Sequence, residues 1–263
     1  MLQNESVKRW LGGLEPAWTL LDYASFTALR APPSPAMGPI RLAANLTHDE
    51  LQQSAVARNA LILLLAASSG AGLKLTETGN LSRTVVAELR DRFTWPEFDR
   101  RAAFEFNKVI NEADFLPLNF VRHLAQAATL LRRHKGHLKI SPAGRRLIEA
   151  PNIGALQAVL FHVAFWHFDL GILRRGLHHG WLQGHVGIIL WCLSLCRRMT
   201  GSRPRAMEAQ ILRPLQWFGL LEHREEKADS GSFARQHFYR KTRMFDRFLS
   251  FDVRLEGADT IRH

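Results

Sequence analysis

The fold is decided by the stretch Leu130-Leu131-Arg132-Arg133-His134-Lys135-Gly136-His137-Leu138-Lys139-Ile140-Ser141-Pro142-Ala143-Gly144. Its two halves meet at Lys135-Gly136, a dipeptide suited to a tight turn, and together they predict a small β-hairpin. Ser141 offers an N-cap oxygen where the second strand ends, and Pro142 already has the φ of a first helical residue. Because an apolar helical pattern over 121–131 precedes the strands, the sequence predicts a hairpin between two helices.

A shorter version of this stretch occurs earlier in the chain. The segment Gly72-Leu73-Lys74-Leu75-Thr76-Glu77-Thr78-Gly79 shares with it the pattern Leu-Lys-(Leu/Ile)-(Thr/Ser)-x-x-Gly, and Thr76 and Ser141 are 65 residues apart. Before it, Thr47-His48-Asp49-Glu50 is a capping box that predicts a helix to about residue 67, followed by the stop signal Ser68-Ser69-Gly70-Ala71-Gly72. A strand at 73–75 and a new helix after Thr76 complete this unit. The sequence therefore predicts two copies of one unit within residues 46–150.

A third, looser copy closes the chain. It comprises a helix over 205–218, a strand over 219–223, a polar flexible loop over 224–236, a strand over 237–241, and a helix over 243–251 capped by Thr242. Between the second and third copies, segments 153–173 and 181–199 are apolar on several faces, which indicates burial. We expect these two helices to form a central pillar of the C-terminal half or a dimer interface.

The predicted organisation has three parts. Residues 1–45 form an N-terminal extension with a proline-rich linker at 31–39, where the prolines exclude regular structure. Residues 46–150 hold the first two units, and residues 151–263 hold the helical pair and the third unit. The predicted fold class is mainly α, with short β-hairpins.

The pattern Leu-Leu-x(4)-Gly-x-Leu-Lys-Ile-Ser-Pro-x-Gly-Arg-Arg-Leu, residues 130–147, resembles the wing and closing helix of winged-helix domains. The chain also resembles an uncharacterised, plasmid-associated bacterial family that carries Leu-Thr-x-Thr-Gly-Asn-Leu, here residues 75–81. These resemblances imply tandem winged-helix-like units around a central buried helical pair, and a bacterial host. They imply no activity, since none is assigned to that family and many winged-helix domains bind proteins instead of DNA.

The charge balance favours polyanionic partners. Thirty-five Lys and Arg against 24 Asp and Glu give a formal net charge of +11, which suits nucleic acid or an anionic membrane surface. Membrane insertion is not expected, because the longest uncharged apolar run, 186–196, is too short to span a bilayer. The first residues lack the layout of a signal peptide, and Cys192 and Cys196 lie in an apolar helical pattern as buried thiols. We therefore predict a cytoplasmic protein.

No pattern in the sequence nominates an enzyme, a cofactor or a metal. Phosphate-binding loops, dinucleotide-binding turns and nucleophile elbows are absent. Cys192 and Cys196 share a helix face, but their apolar neighbours favour core packing over zinc binding. The acidic residues between 91 and 114 are interpreted as a solvated helix face. Five histidines crowd one segment, but their spacing does not match a zinc motif: His162, His167, His178, His179 and His185.

Basic residues are the candidates for binding nucleic acid, because a winged-helix reader places one helix in the major groove and its wing on the backbone. Around the second unit they are Arg122, Arg132, Arg133, Lys135, Lys139, Arg145 and Arg146. In the third unit they are Arg203, Arg205 and Arg213, with Gln210, on the helix, and Lys227 and Arg235 on the wing. Arg205, Ala209 and Arg213 are four residues apart, so they are expected to line one stripe.

Three functions remain open from the sequence. The first is a nucleic-acid-binding protein, with double-stranded DNA as its partner, acting as a plasmid- or mobile-element-linked regulator; it predicts one positive face. The second is a protein-interaction scaffold, or an oligomerising protein without catalytic activity, with an exposed apolar patch. The third is an enzyme whose site lies around 162–185, in a pocket lined by histidines.

Overall fold

A computed structural model describes residues 16–33, 38–96, 98, 110–173, 180–196, 198–199, 205–227, 235–256 and 261–262. Within these ranges the chain is mainly α-helical with short antiparallel strands, as predicted. The helices are α1 (Tyr23–Leu29), α2 (His48–Gln52), α3 (Ala55–Ser68), α4 (Arg83–Arg92), α5 (Leu116–Ala127), α6 (Pro142–Ile148), α7 (Leu156–Trp166), α8 (Gly180–Gln183), α9 (Val186–Leu195), α10 (Arg205–Met207, Glu208–Leu212 and Arg213–Trp217 in succession) and α11 (Arg243–Phe248). The strands are β1 (Ile40–Leu42), β2 (Leu73–Lys74), β3 (Leu131–His134), β4 (His137–Ile140), β5 (Arg198–Met199), β6 (Leu221–Lys227), β7 (Arg235–Lys241), β8 (Leu249–Val253) and β9 (Ile261–Arg262).

The predicted hairpin is present and is built as the sequence indicates. Strands β3 and β4 pair with Leu131 opposite Ile140. The turn residues Lys135 and Gly136 have φ values of 46° and 72°, as in the turns whose twist matches paired strands. Ser141 Oγ accepts a hydrogen bond from the Gly144 amide at 2.9 Å, and Pro142 is the first residue of α6. The two strands therefore lead directly into a capped helix.

The two similar sequence segments lie on neighbouring strands of one sheet, not in two separate units. Strand β2 pairs with β4, with Leu73 opposite Leu138, and the sheet order is β2-β4-β3. The first segment is thus the edge strand of the unit whose hairpin is the second segment. This corrects the expectation of two copies within 46–150. The two segments have similar sequences because each strand alternates a buried leucine with a lysine on the outer face, where Lys74 is exposed and Lys139 is half-buried.

Two helix boundaries also differ from the prediction. The capping box is confirmed, because Thr47 Oγ1 accepts from the Glu50 amide and the Glu50 carboxylate accepts from the Thr47 amide. The helix that it caps ends at Gln52, and Ser54 caps a separate helix, α3. The next helix does not start directly at Thr76, because residues 76–80 form a turn and α4 begins at Arg83 with Ser82 as its N-cap.

The C-terminal unit repeats the architecture of the first. Its sheet has the order β5-β7-β6, again with a short edge strand against the second strand of a hairpin. The Leu130 amide donates to the Ala125 carbonyl at 2.9 Å, and the Leu220 amide donates to the Leu215 carbonyl at 2.9 Å. Ser141 bonds Leu130 in the first unit as Thr242 bonds Leu220 in the second. Helix and hairpin therefore connect in the same way, 90 residues apart.

Helices α7 and α9 are buried within the chain between the two units. Each is shorter than the predicted segment, and Phe161, Phe165 and Leu190 are fully buried. The Phe161 ring lies 5.1 Å from Phe218 of the C-terminal unit and 5.2 Å from Phe248, measured between ring centroids. One continuous core results, with α7 packed against α3 and α5 on its other side.

The described part of residues 1–45 belongs to the fold. Strand β1 pairs with β8 and β9 pairs with β8, so the N-terminal segment completes a sheet with the end of the chain. Leu29 and Ile40 are buried. Leu29 at the end of α1 lies close to Gly187 of α9. A Cβ at Gly187 would collide with the Leu29 carbonyl oxygen, so this close approach requires glycine. The predicted extension therefore supplies core side chains.

In the described ranges, no single helix combines the length and the apolar character needed to cross a bilayer. Helix α6 and the helical segment Asn152–Trp166 reach that length and apolarity only together, and they bend by 110° at the break between them.

Candidate nucleic-acid interface

The sheet β2-β4-β3 has one apolar face and one basic face, because successive residues of a strand point to opposite sides. Leu73, Leu131 and Leu138 point inward and are buried. Lys74, Arg132 and Lys139 lie on the opposite face, where Arg132 is directly opposite Lys139 across the strands. His134 and His137 lie on the same side, and His137 is opposite Lys74. We call these five residues the basic face.

Within the described part of the chain, the cations of the basic face have no acidic partner. Among the described residues, no carboxylate lies within ion-pair distance of Lys74, Arg132 or Lys139. Arg132 and Lys139 form a like-charge cross-strand pair, an arrangement that costs a few tenths of a kcal/mol, roughly, in a sheet. A polyanion laid over this face would remove that repulsion.

The other predicted cations of the first unit lie on the hairpin and on α6. Lys135 is exposed at the hairpin turn, and Arg145 and Arg146 are exposed in the last turn of α6, which follows β4. Arg133 is exposed but lies on the other side of the strand, against the Gly79 backbone. A Cβ built on Gly79 would lie 2.6 Å from Arg133 Nη1. Of the predicted cations of the first unit, the strand pairing therefore brings Arg132 and Lys139 together on the basic face.

Arg122 is an exception, and its predicted role in binding nucleic acid is wrong. Its side chain has no exposed surface, and its Nη1 lies 2.7 Å from both carboxylate oxygens of Glu112. Its Nη2 donates to the Gly79 carbonyl at 2.7 Å. Glu112, which the sequence placed on a solvated face, is 1% exposed. A buried ion pair is not recognisable from sequence when the partners are ten residues apart on separate elements.

This ion pair supports the loop formed by Leu75-Thr76-Glu77-Thr78-Gly79-Asn80-Leu81. The loop closes on itself, since the Thr76 amide donates to the Asn80 carbonyl at 2.7 Å and Leu75 pairs with Leu81. The last residue of the loop is bonded to the ion pair, since the Leu81 amide donates to Glu112 Oε2 at 2.6 Å. Gly79 has a φ of 83°, which favours glycine there. The buried pair thus fixes this loop beside the hairpin.

The helix before each hairpin is largely buried, so neither presents a broad polar surface to a groove. In α5, Phe120, Val121, Leu124 and others are buried on several sides. The Phe120 ring lies 5.1 Å from Trp217 at the end of α10, so the two helices face each other. This arrangement leaves little of the helix surface with which the third unit is predicted to read the major groove.

The predicted stripe on α10 is not formed. Residues Glu208–Leu212 are π-helical, which changes the spacing of side chains, and Ala209 and Gln210 are buried. Arg213 Nη2 lies 3.2 Å from Glu208 Oε1, so its charge is balanced locally. Arg205 remains exposed. Arg203 lies outside the described residues.

The second hairpin is longer than predicted. Strands β6 and β7 extend into both ends of the region expected to be a loop, and Lys227 is opposite Arg235 at their last described pair. The residues between them, 228–234, lie outside the described part of the chain. Lys227 and Arg235 are therefore placed by their backbones at the end of this hairpin.

Among the described residues of the histidine-rich segment and the two cysteines, no catalytic group is assembled. His162 Nε2 and His167 Nε2 are 2.9 Å apart, because α7 ends at Trp166 and His167 folds back; His178 and His179 lie outside the described residues.

Burial, with Cys196 nearby, raises the pKa of the Cys192 thiol to about 11, so it is unreactive. Cys196 is exposed, contrary to the prediction.

The first unit is similar to a known domain family. Residues 52–153 match the family model of the Y4jL N-terminal domain. Over 94 residues the chain is 32% identical to an uncharacterised protein, y4jL, of Sinorhizobium fredii, a match that covers 36% of this chain and 43% of the relative. The chain thus spans less than half the length of that relative. No solved structure matches the chain significantly. The match covers the basic face and the loop at 75–81, so this part of the chain is similar to an uncharacterised bacterial family.

Proposed function

We propose that this protein binds nucleic acid, double-stranded DNA in particular, through the basic face of the first unit, as a plasmid- or mobile-element-linked regulator. The observation that carries the proposal is the row of Lys74, Arg132 and Lys139, exposed or half-exposed without carboxylate partners in the described structure. A resemblance to winged-helix domains supports it, since both units have an edge strand against the second strand of a hairpin, in the orders β2-β4-β3 and β5-β7-β6.

The proposed contacts are with phosphates. Helices α5 and α10 are largely buried, so they offer few side chains to the base edges of a duplex. Lysine and arginine on a sheet face instead neutralise the backbone and release counterions, which gives affinity without sequence preference. Lys135 at the hairpin turn and Arg145 and Arg146 on α6 are further exposed cations of the same unit.

The test is fluorescence anisotropy of the full chain against a labelled duplex of random sequence, titrated over salt concentration. The variant Arg132→Ala/Lys139→Ala removes the like-charge pair from the basic face. We expect the slope of log K against log salt to become shallower by about 2, since each lost phosphate contact changes it by ~0.9. A matched control is Arg224→Ala/Arg240→Ala, whose arginines lie on the second hairpin near Glu222.

The control variant should bind duplex DNA within about twofold of the unmodified chain, because both of its arginines lie outside the basic face and share the carboxylate of Glu222. Circular dichroism verifies that both variants are folded. An unchanged salt slope in Arg132→Ala/Lys139→Ala, or an equal loss in the control, contradicts the placement of the site. No binding at low salt contradicts the function and favours the scaffold hypothesis. A single-stranded probe of the same sequence tests whether a duplex is required.

A further inference from the structure

Three metal-binding side chains converge on one face of the second hairpin. His223 and Glu225 are two residues apart on β6, so both side chains point to the same side of the strand. Glu225 is directly opposite His237 on β7, and His223 is opposite Tyr239. The ligand atoms of His223, Glu225 and His237 all lie within 4.8 Å of one another. This cluster belongs neither to the basic face nor to the histidine-rich segment 162–185.

The spacing of the ligand atoms fits a tetrahedral ion without movement of the strands. His223 Nε2 lies 3.0 Å from His237 Nδ1, and His237 Nδ1 lies 3.7 Å from Glu225 Oε1. Ligand atoms bound tetrahedrally to zinc at ~2.05 Å are about 3.3 Å from one another. These two separations lie on either side of that value, and the His223 and Glu225 ligand atoms are within 4.8 Å of each other. Small rotations of the side chains are therefore sufficient to enclose an ion.

The rings are already held by their neighbours. The His223 ring stacks on Tyr239 with centroids 4.6 Å apart and on His237 with centroids 5.2 Å apart. Tyr239 is 2% exposed and belongs to the core, so it fixes the plane on which His223 lies. His223 and His237 are both half-buried. A metal would therefore meet ligands that have already lost much of their rotational freedom.

We propose that His223, Glu225 and His237 bind a first-row divalent metal ion, with Zn²⁺ as the expected occupant. Two imidazoles and one carboxylate are a ligand set that zinc uses where it keeps a fourth position for water or a substrate. Because the ligands come from both strands, the ion links β6 to β7 near the hairpin end. The pair His162 and His167 has no carboxylate in its group among the described residues, so it is the weaker candidate and a suitable control.

The experiment uses the full chain after removal of metal with a chelator and of the chelator by dialysis. Zn²⁺ is titrated calorimetrically, and Co²⁺ is followed by its visible absorption, which reports coordination by protein ligands. We expect a single equivalent of Zn²⁺ to bind and the melting temperature to rise with metal concentration. His223→Ala, His237→Ala and Glu225→Gln should each bind at least ~100-fold more weakly, since removal of even an outer partner of a ligand costs 10–100-fold.

The control is His162→Ala/His167→Ala, which should retain the affinity, the cobalt spectrum and the thermal shift. Glu225 is exposed, so Glu225→Gln keeps the hairpin folded and its loss of affinity reports coordination. The proposal is overturned if the unmodified chain binds no Zn²⁺ at micromolar concentrations. It is equally overturned if binding persists in His237→Ala, or if the control abolishes it.

Discussion

The two hairpins of this molecule, β3–β4 and β6–β7, have the same place in the backbone and opposite surface chemistry. Each follows a helix through the same hydrogen bonds, and each contributes two strands to a sheet of the same order. On the first hairpin, Arg132 and Lys139 face each other without a carboxylate in the described structure. On the second hairpin, Glu222 Oε2 lies 2.9 Å from Arg240 Nη2 and 4.0 Å from Arg224 Nη2.

This difference shows that the backbone plan and the surface charge are specified separately. Buried positions set the plan, because Leu131 and Leu221 at the first residue of each hairpin are both in the core. Exposed positions are free to differ, and they place unbalanced cations on one hairpin and histidines with carboxylates on the other. A net charge of +11 therefore locates no binding surface until the pairing of each cation is known.

The largest expected effect concerns the buried ion pair of Glu112 and Arg122, which is hydrogen-bonded to the loop at 75–81. Glu112→Gln leaves the buried Arg122 guanidinium without a counter-charge, so it should lower the free energy of unfolding by about 3–5 kcal/mol. Glu222→Gln removes a carboxylate from the exposed pair on the second hairpin and should cost less than about 1 kcal/mol. Urea denaturation followed by circular dichroism measures both values.

The double variant Glu112→Leu/Arg122→Met sharpens this result. Apolar side chains need no counter-charge, so the double variant should be more stable than Glu112→Gln. It also removes the hydrogen bonds to Leu81 and Gly79, so some of the loss should remain. Equal stability losses in Glu112→Gln and Glu222→Gln would contradict the burial of the first pair.

The second prediction compares one position in the two units. Thr129 and Gly219 each end a helix before a hairpin, with φ values of 56° and 74°. Gly219→Ala should destabilise by about 2–4 kcal/mol, because the left-handed backbone disfavours a side chain and the interior resists overpacking. The added Cβ would lie 2.6 Å from the Gln53 carbonyl oxygen. Thr129→Gly should stabilise by about 0.5–1 kcal/mol, since Thr129 is exposed and its strain is relieved. Thermal and urea unfolding measure the change in the free energy of unfolding for each variant. A change of the same sign in both would contradict the structural equivalence of Thr129 and Gly219.

The smallest expected effect is a pH dependence of stability caused by His123, which lies on α5 before the first hairpin. Burial lowers the pKa of His123 below its usual 6.5, and the charges of Arg122 and Arg133 lower it further. Below about pH 6.5 the unfolded chain therefore binds more protons than the folded chain, so the free energy of unfolding should fall as the pH decreases. His123→Gln should make this decline shallower, and urea denaturation between pH 7.5 and 5 measures it. His162, whose pKa burial also lowers, supplies a remaining slope in the variant. An unchanged slope in His123→Gln would contradict the prediction.

Local features were predictable because they depend on residues close in sequence. The Lys135-Gly136 turn, the capping box at Thr47 and the Ser141-Pro142 helix start all satisfy backbone groups within a few residues. The exposure of Arg132 and Lys135 followed from their position on a short hairpin. Glu112, the metal ligands of the second hairpin and the burial of α5 were missed, since each depends on a contact between distant segments.

The sequence by itself determined the helix and strand types, the turns and caps, and the excess of positive charge. Periodicity and capping act over one or two turns of chain, so one sequence is sufficient to read them. Only the tertiary structure decided that the segments at 73–79 and 138–144 share one sheet, that Arg122 is buried on Glu112, and that His223, Glu225 and His237 meet. These outcomes depend on which elements pack together, and that choice is made by the burial of the common core rather than by any local pattern.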